Sequence, residues 1–464
     1  MMLVKPFTEN RARREPARGM TAFLIVWSGQ IASLVGTAMS QFAITVWAWQ
    51  ASGSAMTLSV LAFCGFAPTI VLMPLAGVLV DRWDRKITMA VSDAASGLAT
   101  LTVLLLYAAG RLQVWHLYVT SLFSASFQAF QWPAYSAAIS VLLPKRHYAR
   151  ASGMLSLAQS ASGIAGPAVA SLLLASSGLP AVLLVDVVSC VIGVSVLFLV
   201  RIPAPLPSGG SEVVSGGWRR EMAFGFRYIF ARSPLMSLMM LFVIFNLFAM
   251  LCHGVWSAFL LARSGGSSTV LGVTESASAI GFGLGGLFLV AWSGLNHRMR
   301  GILWAMVTAS VVGSIVLGIG RSVPVWAFAG FVGSFCMPVM NGLSQSIWQC
   351  KVPADVQGRV FSARMQLSQV ITPIAMLASG MLADRVFEPA MQHGGAIARF
   401  FGPLVGNGPG SGMAVMFVLF GTLGTAAAVA GFFIPQVRDA ENLLPDIVPA
   451  ESACVAVQDT GGIS

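Results

Sequence analysis

The chain has 464 residues, of which 56% are hydrophobic and only 9% charged, and its mean hydropathy is +0.80. A soluble globule carries roughly 25% charged residues, so this composition excludes one and requires a polytopic helical membrane protein embedded in a lipid bilayer. The net charge of +10, from 27 Lys and Arg against 17 Asp and Glu, is spread over separate short segments. That is the pattern of membrane topology, and the lack of a continuous basic stripe argues against nucleic acid as a partner.

A basic tail, 1–19, comes first, and its Arg11-Ala-Arg-Arg14 head precedes an apolar run far longer than that of a secretory leader, so the run is expected to stay as a membrane helix. Each crossing needs about 20 apolar residues. Twelve such spans are laid down without overlap at 20–49, 57–80, 87–109, 115–142, 151–176 and 180–200, then at 235–261, 269–291, 301–319, 323–349, 365–387 and 413–434. The halves, 20–200 and 235–434, repeat one another. Pro144 and Arg150 align with Pro353 and Arg359, and the Ser/Gly turn after the first span aligns at a similar offset with the turn after the seventh. The segment 201–234 joins the halves through a Pro/Gly/Ser linker and an amphipathic helix with Trp218, Met222, Phe226 and Ile229 on one face, expected at the bilayer surface. The stretch 388–412 is Gly/Pro-rich and reads as irregular, and 435–464 reads as a disordered tail.

With both termini on the cytoplasmic side, all the Lys and Arg except Arg111, Arg263, Arg321, Arg385 and Arg399 fall inside, as the positive-inside rule requires. The six cysteines lack metal-ligand spacing and read as packing residues, and no phosphate-binding Gly-rich loop is present, so neither an enzyme nor a cofactor is expected.

Between the second and third spans, Gly77-Val-Leu-Val-Asp81-Arg82-Trp83-Asp84-Arg85-Lys86 sets five charges in six residues. This segment resembles the loop signature of the major facilitator superfamily, with Asp84 where the general pattern has Gly, a variant of the macrolide-efflux and enterobactin-exporter-like drug:proton antiporter branch. In the fifth span Gly153, Ser162, Gly166, Pro167, Ala170 and Ser171 fall on the spacing of the family's antiporter signature. The resemblance implies an all-α membrane fold of twelve transmembrane helices in two six-helix bundles. It implies alternating access, export of an amphipathic small molecule (a drug, siderophore or peptide natural product) with protons as the coupling ion, and a place in the bacterial inner membrane; the oligomeric state is left open, a monomer being the simplest expectation. It assigns gating to Gly77, Asp81, Arg82, Arg85 and Lys86, with Asp81 pairing nearby arginines and the start of the eleventh helix. The rival readings are a lysophospholipid-handling transporter and a transport-inactive receptor or sensor of the same fold.

Family members line their cavity with the first, fourth, seventh and tenth helices, which here carry polar stripes: Gln30, Ser33, Thr37 and Gln41; Gln128, Gln131 and Tyr135; Asn246, Met250 and His253; Asn341, Gln345 and Gln349. The alternative for each residue is polar glue between helices. The fourth span has no embedded Arg of the kind other antiporter branches use, and no intramembrane Arg or Lys is expected to clamp a carboxylate or phosphate. Embedded acids are costly and therefore informative. Glu275, Asp186 and Asp93, with His253, are the proton-coupling candidates, although Asp93 is expected to pair with Arg82 or Arg85. Ala383-Asp384-Arg385 is read as an outer gate or packing pair.

Overall fold

The computed structural model describes residues 19–80, 83–143, 147–200, 218–291, 297–353, 356–392, 396–439 and 441. The chain is helical throughout these segments. In order come α1 (Met20–Ser52), α2 (Ala55–Val80), α3 (Arg85–Ala108), α4 (Val114–Leu142) and α5 (Tyr148–Leu199), then α6 (Trp218–Phe230). The second half holds α7 (Ser233–His253), α8 (Trp256–Arg263), α9 (Ser268–Ala291), and α10 (Arg298–Ser310) joined by a π-helical turn to α11 (Leu317–Ile319). It continues with α12 (Val323–Lys351), α13 (Gln357–Gln369), α14 (Ile371–Leu382), α15 (Glu388–Met391), α16 (Ala396–Val405), α17 (Ser411–Phe433) and α18 (Pro435–Arg438).

Among the described residues, ten helical stretches are long and apolar enough to cross a membrane. One of them, 47 residues from Gly153 to Leu199, is two arms joined at a reversal. Gly178 has φ 76°, a conformation that costs an L side chain about a kilocalorie or more, and Pro180 follows it. The direction of travel changes there. Before Gly178, contacts with α1 advance together, from the Trp27 indole on the Met154 carbonyl to Ala38 against Gly166; after it they run in opposite senses, Ser33 against Gly193 and Gly29 against Val196. Helix α1 is thus clasped between both arms. Helix α4, at 29 residues, is long enough to cross but more polar.

The described part of the charged segment before α3, from Asp84 to Lys86, caps helix ends. The Asp84 carboxyl accepts hydrogen bonds from the backbone N–H groups of Lys86 (2.8 Å) and Ile87 (3.3 Å) and so opens α3. An N-cap explains an acid where the general family pattern has glycine. Lys86 reaches the other way: its ammonium donates to the Val200 carbonyl at 2.9 Å and to that of Phe198 at 3.4 Å, satisfying the C-terminal end of α5.

Two expectations change. The stretch 388–412 is not irregular throughout, because α16 forms within it and seats Ile397, Ala398, Phe401 and Val405 on the apolar core. Burial of one helical face there outweighs the Gly and Pro content. Helix α6 does form, but Ile229 is fully buried among Leu235, Leu238 and Val360, and Gly225 lies directly on the Arg359 carbonyl. It is docked on α13 rather than resting only on lipid.

Candidate functional site

Helices α1 to α5 pack among themselves, as do α7 to α17, and a cavity of about 990 Å³ lies between the two groups. At one end the groups are tightly joined. The Asp384 carboxyl accepts from the Ser54 hydroxyl (2.6 Å) and the backbone N–H groups of Ala55 (3.1 Å) and Met56 (2.9 Å), so an acid from the second half caps α2 of the first. Just inside, Ser59 donates to the Gly254 carbonyl at 3.1 Å, a group freed by the break between α7 and α8, and its hydroxyl lies 3.3 Å from that of Ser379. A Cβ on Gly380 would come within 2.6 Å of Ser59. Asp384, read as an outer gate or packing pair, thus joins the two halves at this end.

Toward the opposite end the halves separate. Along the α5–α9 seam a Cβ built on Gly272 meets Ser171 at 2.9 Å and the Pro167 carbonyl at 3.0 Å, one on Gly163 meets Ala279 at 3.3 Å, and one on Gly283 meets Ser160 only at 3.8 Å. At Gly286 nothing lies within 4 Å. Small residues of the fifth span serve this seam and the contact with α1: Pro167 and Ser171 face α9, the Ile164 carbonyl accepts from Ser276 (3.1 Å), a Cβ built on Gly166 would come within 2.6 Å of Ala38 of α1, and Ala170 is fully buried. Ser162 bonds within its own helix to the Gln159 carbonyl, and Gly153 meets open space.

Of the polar stripes, Thr37, Gln41, Gln128, Asn246 and Asn341 line the cavity, as do His253, Asp186 and Glu275. Asp186 accepts from Thr100 (2.7 Å) and Thr37 (3.3 Å), and it sits beside the middle of α1. Glu275 is on the α9 turn that precedes Ser276, with the Ser257 hydroxyl beside its carboxyl. His253 ends α7 at the helix break, its side chain open to the cavity.

Gln30 and Gln131 are not wall residues. They converge on Asp93, which is 3% exposed, donating at 2.7 Å and 2.6 Å, with the Ser33 hydroxyl at 3.5 Å. Gln131 also donates to Gln30 at 3.1 Å, and the Cys190 thiol to the Asp93 carbonyl at 3.0 Å. Asp93 is thus satisfied by neutral amides from α1 and α4 instead of the expected Arg85, while Arg82, the other expected partner, lies outside the described residues. The reason is geometric: α3 places Asp93 two turns past the capped end, facing α1. Tyr135 is buried away from the cavity, and Gln345 accepts from Arg364 instead of facing it. Asp81 and Arg82 lie outside the described residues, whereas Gly77 is in α2 and Arg85 opens α3.

The sequence reading missed Arg364. It lies near one end of the helical stretch Arg359–Met391 and lines the cavity, so a guanidinium faces the cavity where no Arg or Lys is expected. Its guanidinium donates to Gln345 Oε1 (2.9 Å) and Ser344 Oγ (3.0 Å) and stands 5.1 Å from the Trp348 ring centroid. The signal was its helical register with Ser368, obscured because an apolar window starts only after the last charge.

Comparison with known proteins accords with this architecture. The family model described as Major Facilitator Superfamily matches residues 26–376. Macrolide efflux protein A of Streptococcus pyogenes is 31% identical over 375 residues, covering 78% of this chain and 90% of that protein. Multidrug efflux pump Tap of Mycolicibacterium fortuitum is 26% identical over 76% of this chain and 88% of its own length. Among solved structures, a bacterial homologue of the human lysosomal transporter Spinster, inward-facing and unoccupied, superposes with a TM-score of 0.69 at 15% identity, covering 93% of this chain and 100% of that one. The chain therefore belongs to the Major Facilitator Superfamily, in the branch that holds the macrolide-efflux proteins.

Proposed function

We propose that the protein is a twelve-span exporter that expels amphipathic small molecules, macrolide-type drugs among them, across the bacterial cytoplasmic membrane in exchange for protons. The twelve spans follow from counting the two arms of α5 separately and including α4. The observation that carries the reading is the central cavity, sealed at the Asp384 end and widening at the other, with Asp186, Glu275 and His253 on its walls. Cargo enters from the wide end, which the concentration of Lys and Arg assigns to the cytoplasm together with both termini. Release of a proton to the cytoplasm as cargo loads favours the outward-open arrangement; there a cavity carboxyl takes up a proton from the outer side, losing the charge that holds its helix against water, which favours the return to the inward-open one.

The test is expression in a macrolide-susceptible bacterium, with erythromycin accumulation and susceptibility measured with and without an uncoupler. Export that collapses with the proton gradient is the expected result, and unchanged accumulation relative to an empty vector would overturn the reading. Orientation is checked by an impermeant maleimide in a cysteine-free background, where Ser211→Cys is expected to remain unlabelled in intact cells.

A further inference from the structure

Five ionisable side chains line the cavity: Asp186, Glu275, His253, Cys252 and Arg364. Four belong to its middle and sealed end. Arg364 stands alone at the wide end, near the C-terminus of α12, about 10 Å along α13 at ~1.5 Å per residue. A guanidinium within a membrane span is costly unless it is paired or serves a ligand. Here its two bonds go to neutral oxygens, those of Gln345 and Ser344, and its flank to the Trp348 ring. Among the described residues no carboxylate lies within 4.0 Å of it. Two bonds leave most of the five N–H donors of an arginine open, and the contacts from α12 fix the plane of the fork. Trp348 is itself 1% exposed and cannot swing away. The result is an oriented, charged fork at the entrance of a cavity large enough for a drug-sized molecule.

We propose that Arg364, held by Ser344, Gln345 and Trp348, is a subsite for the anionic group, carboxylate or phosphate, of an amphipathic molecule whose apolar part extends into the cavity. The proposal rests on the exporter reading for its identification of the cavity as a cargo path, and it adds a charge preference at the entrance. Planar, bidentate geometry suits a carboxylate or a phosphate and a guanidinium in a way that an ammonium matches only as a point charge. The same chemistry is supplied by a soluble acid or by the phosphate of an inner-leaflet lipid.

The experiment uses the full-length protein in nanodiscs and two fluorescent probes of similar size, 1-pyrenebutyric acid and its methyl ester, so that binding is read without any gradient or transport. Arg364→Gln is expected to weaken the acid by about tenfold or more and the ester by less than about twofold, with Arg364→Lys between the two for the acid. Equal weakening of both probes, or of neither, overturns the proposal. Native mass spectrometry supplies the lipid arm: an anionic phospholipid retained by the wild type, lost in Arg364→Gln and displaced by the acid identifies lipid phosphate as one occupant. Should Arg364→Gln fold poorly, the acid-to-ester selectivity of Arg364→Lys decides alone, and wild-type selectivity there overturns the bidentate site. A protein that fails to export erythromycin yet shows this selectivity refutes the exporter reading and leaves the anion subsite standing.

Discussion

Away from the Asp384 seal, the two halves hold their embedded charge in opposite ways. In the first, Asp93 is enclosed by Gln30, Gln131 and Ser33, and Asp186 by Thr37 and Thr100, so each carboxyl is met by short neutral donors from several helices. In the second, Glu275 has one hydroxyl beside it and Arg364 two neutral acceptors, and both open onto the cavity. A charge bound on all sides has little to gain from a change of surroundings. A charge with spare valence at a cavity wall responds to whatever enters, be it water, a proton or cargo. On this contrast the charges of the first half are expected to serve structure and those of the second to serve the proposed transport, with Asp186, which is bonded and also lines the cavity, between them.

The sharpest way to break this contrast is to neutralise the acids one at a time. Glu275→Gln is expected to lower pH-gradient-driven efflux in inverted vesicles by about tenfold or more, because no other carboxyl stands at its place on α9. Asp186→Asn is expected to have a smaller effect, since an amide retains an acceptor for Thr100. Wild-type efflux in both single variants and in the double variant would remove the proton-coupling role from both residues.

Next in size is the seal between the halves. Asp384→Ala removes three hydrogen bonds at the start of α2, two of them to backbone N–H groups. The expected outcome is a several-fold rise in outside labelling of a cavity cysteine at Ala62→Cys in a cysteine-free background, since the closed outer end loses charge-assisted bonds of roughly 1.5–3 kcal/mol each. Unchanged labelling would reduce Asp384 to a packing residue.

The sequence made some of this legible and hid the rest for identifiable reasons. The all-helical membrane architecture, the Pro167 seam and the cavity positions of Thr37, Gln128, Asn246 and Asn341 follow from periodicity and family spacing, because helix faces are local properties. What Asp93 touches is not local: its partners lie 63 and 38 residues away, and only the packing of α3 against α4 and α5, with α1 within side-chain reach, decides between an amide and a guanidinium. Arg364 escaped because a hydropathy window excludes charges at its edge, which is where a cavity entrance places them. The helix α16 escaped because Gly and Pro in composition say nothing about a neighbour that buries one face.

Asp93→Asn sharpens the first half's side of the contrast. The amide keeps one acceptor for Gln30 but turns a donor toward Gln131, so two N–H groups face each other where a charge-assisted bond of 2.6 Å stood. A loss of roughly 1–3 kcal/mol is expected, read as a fall of several degrees in the melting temperature of the purified protein. Efflux per folded molecule should stay near wild type. Lost efflux at unchanged stability would move Asp93 from the structural to the working charges.

The smallest effect belongs to Lys86, whose ammonium satisfies the Val200 and Phe198 carbonyls and lies 5.2 Å from the Phe198 ring centroid. Lys86→Met keeps the aliphatic stem against that ring and removes only the donors at the C-terminal end of α5. Helix-end cations contribute about 0.3–1 kcal/mol when exposed, so the melting temperature should fall by no more than a few degrees and efflux should persist. The motif also groups Lys86 with the gating arginines, and gating predicts something else: trapping in one state, seen as lost efflux together with an altered rate of Ala62→Cys labelling. If Lys86→Met abolishes efflux while the protein melts as the wild type does, the charged turn acts in the transport cycle itself, and its role extends beyond capping the helices it joins.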